Sequence, residues 1–100
     1  MPKPETRVLF HGHGFVLYAY PIRNPVTREY EWAHCVARQV KPEAPAEDFQ
    51  RFLKYLTDRN YYHTLQSASR DLATRLAKKL STAQLRAAMI TISDTVPLNA

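Results

Sequence analysis

One hundred residues match the size of a single domain, and a composition of 45 % hydrophobic and 23 % charged residues argues against disorder. The longest apolar run, 15–20, is far short of the ~20 residues of a membrane-spanning helix, and the single cysteine, Cys35, excludes an intramolecular disulfide and fits a reducing, cytoplasmic setting. The net charge of +5 is unevenly placed: residues 1–49 balance six cations with six anions, so the whole excess lies in 50–100 and points that half toward an anionic partner, either nucleic acid or an acidic protein surface.

Residues 1–5, with two prolines, read as a loose lead-in before a single domain. Val8, Leu9 and Phe10 form a short strand-like run, and His11-Gly12-His13-Gly14 offers a turn or bulge. Phe15 to Ile22 is rich in aromatic and branched residues and predicts a strand, whose end at Pro21 lies at an edge or leaves the sheet. Asn24-Pro25-Val26-Thr27 predicts a turn in which Asn24 bonds back to its own backbone. Arg28 to Val40 alternates, with Tyr30, Trp32, His34 and Val36 on one face and Glu29, Glu31, Ala33, Cys35 and Ala37 on the other. The first of these faces is the expected core side, and the two long runs are expected to pair as an antiparallel hairpin with Arg7 to Phe10 as a third strand.

After a connection at 41–46, Phe49, Phe52, Leu53 and Leu56 fall at helical spacing and predict a helix from Pro45 that ends at Asn60. A second helix is expected from Thr64, with Leu65, Ala68, Leu72, Ala73, Leu76 and Leu80 as its apolar stripe. Ser81 and Gln84 have the spacing of a capping box and open a third, which buries Leu85, Ala88, Met89 and Ile92 before a tail at 95–100. A short sheet with one face to cover and three amphipathic helices make an α+β fold, with two to three strands covered by about three helices.

The chemistry-bearing residues form no catalytic set. His11 and His13 would share a face if extended, with His34, Cys35 or His63 as a third metal ligand, but no established metal-ligand spacing supports them and no metal site or cofactor is expected. Cys35 alternates away from His34 and reads as a packed small hydrophobe. The small basic toxin nucleases of bacteria resemble the chain in size and charge, but they begin with helices and finish with a sheet, the reverse of the order here. Catalysis is not expected.

Thr74 to Ile90, TRLAKKLSTAQLRAAMI, resembles a helix-turn-helix through Leu76-Ala77, Leu80, Gln84 and Ile90. Ser81 stands where glycine is usual and Thr82 where a branched hydrophobe is usual. The resemblance implies a DNA-binding regulator, with Arg70, Arg75, Lys78, Lys79, Gln84 and Arg86 toward the duplex. Sheet tyrosines beside cations offer a second route, the stacking of single strands, through Tyr18, Tyr20, Tyr30, Trp32, Tyr61 and Tyr62. The leading expectation is docking on a protein or nucleoprotein partner with an acidic surface. Asn60 to His63 is expected as a loop between helices, with Arg59, Tyr61, Tyr62, His63 and Arg70 in the contact. Compact, motif-free chains of this kind are similar in type to phage and mobile-element accessory proteins, including anti-CRISPR and host-takeover inhibitors. Many of those are acidic mimics of DNA, a pattern from which this basic chain departs.

Overall fold

The structure, a computed structural model, describes residues 3–40 and 53–95, with side chains to Ile90. Its elements are β1 (Arg7–Gly12), β2 (Phe15–Arg23), β3 (Tyr30–Gln39), β4 (Leu56–Tyr62), α1 (Leu65–Ala77) and α2 (Thr82–Thr95). The strands form one antiparallel sheet in the order β1-β2-β3-β4, so the fold is α+β with four strands and two helices among the described residues. No helix of the described residues is long and apolar enough to cross a membrane.

Local chemistry sets the turns. His13 (φ 53°) and Gly14 (φ 84°) form the two-residue connection from β1 to β2, with backbone of the primed type that matches strand twist. The strand carrying His11 therefore ends before His13, and the two rings do not share an extended face. Between β2 and β3, the Asn24 Oδ1 accepts from the Val26 and Thr27 amides at 2.8 and 3.2 Å, the side-chain turn expected from sequence. β2 continues past Pro21 to Arg23 and stays in the sheet, with its end at an edge, the first of the two expected alternatives. Pro21 pairs with Trp32 of β3, while pairing to β1 reaches only Ala19, so the missing proline donor falls beyond the two-sided part of the strand.

The helices cover one face of the sheet. Thr64 caps α1, its side chain accepting from the Ser67 amide, and Ala68, Leu72 and Leu76 are fully buried against Leu17, Ala19 and Val36. A bulge between Val8 and Phe10 lets adjacent Leu9 and Phe10 both join this core, with Leu85, Ala88 and Met89 of α2. At the start of α2 the capping box forms in both directions: the Ser81 amide donates to Gln84 Oε1 (3.0 Å), and the Gln84 amide to Ser81 Oγ (3.3 Å). Lys79 lies over the Phe15 ring at 5.0 Å, and Arg7 over Trp32 at 5.4 Å. Trp32, His34 and Val36 thus face the helices as expected, but Ala33, Cys35 and Ala37 on the reverse are buried too.

The segment 56–62 departs most from the sequence reading. The first half of the helix expected from Pro45 to Asn60, 45–52, lies outside the described residues, but 56–60 is strand, and Asn60 pairs with Val36 instead of ending a helix. Tyr61 and Tyr62 are the end of that strand, not a loop between helices. Periodicity misled here because an edge strand with Asp58, Arg59 and Asn60 in its middle has no alternating apolar signature; its partners are remote in sequence. Asn60 Nδ2 (3.0 Å), the Tyr62 hydroxyl (2.7 Å) and Arg75 Nε (3.0 Å) all donate to the Asp71 carboxylate, and Arg75 Nη2 donates to the Asp58 carbonyl (2.8 Å). One carboxylate on α1 thereby ties the helix to β4.

Candidate binding site

The sheet face turned away from α1 and α2 is built by the pleat. On β3 it presents the small side chains of Ala33, Cys35 and Ala37, all buried. Register sets Tyr18 of β2 and Tyr61 of β4 on either side of Cys35, and Tyr20 beside Ala33. Large rings flanking a row of small residues leave a trough. Tyr18 and Tyr20 have ring centroids 5.9 Å apart, and Tyr20 meets Tyr61 across β3 at 6.3 Å with the planes at 89°. Leu53 and Leu56 belong to the apolar cluster on this face, and a cavity of about 310 Å³ opens between Leu53, Pro21, Thr6 and the three tyrosines. That volume is at the lower end of small-ligand sites and suits one anchoring group.

Electrostatics give the trough a sign. Lys3 and Arg59 line it, and no carboxylate does among the described residues. The Arg59 guanidinium is fixed by donating to the carbonyls of Leu53 and Leu56, which orients it without neutralising its charge. Burial and the hydrogen bond to Cys35 raise the Tyr18 hydroxyl's pKa against the opposing charge of Arg59, and burial likewise raises those of Tyr20 and of the Cys35 thiol. At neutral pH the walls are therefore uncharged hydroxyls and rings, and the only full charges on the lining are positive.

The residues singled out from sequence divide between surfaces. Arg59 and Tyr61 meet in the trough, with Tyr61 58 % exposed. Tyr62 alternates to the opposite face, where its hydroxyl is held by Asp71 and its ring packs on the helix-covered core. His63 is exposed, and its carbonyl accepts from His34 Nδ1 at 3.2 Å; Arg70 is exposed beside Tyr62, Asp71 and Thr74. Among the six residues of the duplex-binding reading, the side chains of Arg70, Lys78 and Arg86 are exposed and make no hydrogen bond or ion pair among the described residues, and Lys79 is exposed but lies over Phe15. Arg75 is bound to Asp71 and Asp58, and the Gln84 side chain is taken up by the cap of α2. Sequence reasoning missed the grouping of Tyr18, Tyr20, Thr6 and Lys3 with Arg59 and Tyr61. The signal for it was the alternation of small residues at 33, 35 and 37 opposite alternating tyrosines at 18 and 20. Among the described residues, no group of three or more histidine, cysteine or acidic side chains is placed to hold a metal. No protein-family model, curated protein or solved structure matches this chain.

Proposed function

We propose that this protein is a non-enzymatic binding module that docks on an anionic macromolecular partner through the tyrosine trough, acting by occupying that partner's surface. The observation that carries the reading is the convergence of Arg59, Tyr61, Tyr20 and Tyr18 on one cavity whose charged lining residues, among the described residues, are cations. Tyrosine and arginine around a recess are the chemistry that dominates interface energetics, because rigid rings bury large area and a fixed guanidinium selects anions. Two further features support a role without catalysis. The Cys35 thiol is held protonated by burial beneath the trough, and His34, the nearest imidazole along the strand, faces the helices. Among the described residues, no nucleophile therefore stands beside a base at this site.

The reading is tested by affinity capture from the native host with wild-type protein and Tyr61→Ala in parallel, with and without nuclease. A partner held by wild type and lost on Tyr61→Ala, with the far-ultraviolet circular dichroism of the two identical, is the expected result. Equal retention on both proteins refutes docking through the trough. Survival under nuclease separates a protein partner from nucleic acid.

A further inference from the structure

The shape of the trough narrows the ligand within that reading, on which this step rests. Tyr20 and Tyr61 stand at 89°, so they form a corner with one ring face exposed to a flat group and the second ring closing its side. Tyr20, Tyr61 and Thr6 offer hydroxyls that both donate and accept, which suits the mixed donors and acceptors on a base edge. Lys3 and Arg59 add two positive charges on the same lining. A carboxylate side chain would use those charges and leave the ring faces idle. A nucleotide uses both: the base stacks and the phosphate meets a cation. A duplex offers no free base face. We infer that the trough binds one nucleotide of a single-stranded nucleic acid, its base against Tyr61 and Tyr20 and its phosphate toward Arg59.

The probe is a fluorescein-labelled oligothymidylate about eight nucleotides long, within the usual footprint of a small single-strand site, followed by anisotropy over a salt series. With two cations near phosphates and ~0.7 counterions released per contact on single strands, the log-log slope is expected near -1.4. Tyr61→Ala should weaken binding about ten-fold or more, while Tyr61→Phe, which keeps the ring face, stays within about two-fold. Arg59→Gln should flatten the slope by about 0.7. Tyr61 is 58 % exposed, so these proteins are expected to remain folded, and circular dichroism checks that they do. A duplex of the same length bound as tightly as the single strand, or unchanged affinity in Tyr61→Ala, overturns the inference. So does the absence of oligothymidylate binding at low salt. Polyglutamate is the counter-probe: if it binds in a Tyr61-dependent way and oligothymidylate does not, the nucleotide assignment fails and docking on an acidic protein stands. If neither binds, both fall.

Discussion

Replacing Asp71 by alanine should destabilise the fold far more than any other single change to a charged residue described here. Its carboxylate accepts from Asn60, Tyr62 and Arg75, and the Asp71 and Arg75 side chains are only 14 % and 16 % exposed. Burial alone would raise its pKa, but the bonds from Tyr62 and Asn60 and the Arg75 charge outweigh it and hold the group below its ordinary value. Truncation removes three donors' shared acceptor and leaves Arg75 half-buried with only the Asp58 carbonyl. A broken buried pair costs about 3–5 kcal/mol, and the residual solvent access here places the expectation at about 3 kcal/mol. For a domain of this size that corresponds to a Tm drop of roughly 12–24 °C. Tyr62→Phe deletes only one charge-assisted hydrogen bond and should cost about 1.5 kcal/mol. The two losses should not add, because the phenol has no acceptor once Asp71 is gone; a coupling of about 1 kcal/mol is expected from the double-mutant cycle. Urea unfolding followed by circular dichroism measures all three. An Asp71→Ala loss under about 0.5 kcal/mol, or additivity of the pair, would refute the view that this carboxylate anchors β4 to α1.

Other perturbations test the remaining local arguments. Burial lowers the pKa of His34, partly offset by its hydrogen bonds to the backbone of His63 and Tyr62, so the unfolded chain takes up the proton first as pH falls. Stability from His34 is therefore fully present above about pH 6.5 and is lost below it until the depressed folded-state value is passed; the urea midpoint should fall between pH 7.5 and 5.5, and His34→Gln should shrink that difference. An unchanged difference in the variant would exclude His34 as its source. Gly14→Ala places a Cβ at φ 84°, with Lys79 Nζ 3.5 Å away, and should lower stability by about 1 kcal/mol through backbone strain while leaving the trough's affinity untouched. Ser81→Ala removes one half of the α2 cap and should cost about 1 kcal/mol in the same assay; no loss would mean that the capping box is not populated in solution.

What could be seen in the sequence was local. The Asn24 turn and the Ser81–Gln84 box each depend on residues two or three apart, and each stands where the sequence pointed. The stripe of α1 was legible for the same reason, since Ala68, Leu72 and Leu76 announce a buried face by spacing alone. β4 was not legible. Its central residues favour turns, Asp58 takes a left-handed φ of 52° at a bulge, and the strand exists because β3 and the Asp71 network hold it. Those interactions join residues 9 to 28 positions apart, and none of them follows a repeat that local periodicity could show.

The site shows the same division at finer scale. Tyr61 and Tyr62 look equivalent as neighbours in a presumed loop, and in a loop they could serve one surface together. A strand has a period of two, so adjacent side chains must part. Tyr62 turns to the helices, gives its hydroxyl to Asp71 and becomes part of what holds β4 in place; Tyr61 turns to the trough and keeps 58 % of its surface open to a partner. The alternation that separates them also joins Tyr61 to Tyr18 and Tyr20, because all three sit on the face where β3 carries Ala33, Cys35 and Ala37. Binding and stability are thus assigned to consecutive residues by backbone geometry, and Tyr62→Phe and Tyr61→Ala should report on them independently: the first lowers the unfolding midpoint with affinity kept, the second lowers affinity with the midpoint kept.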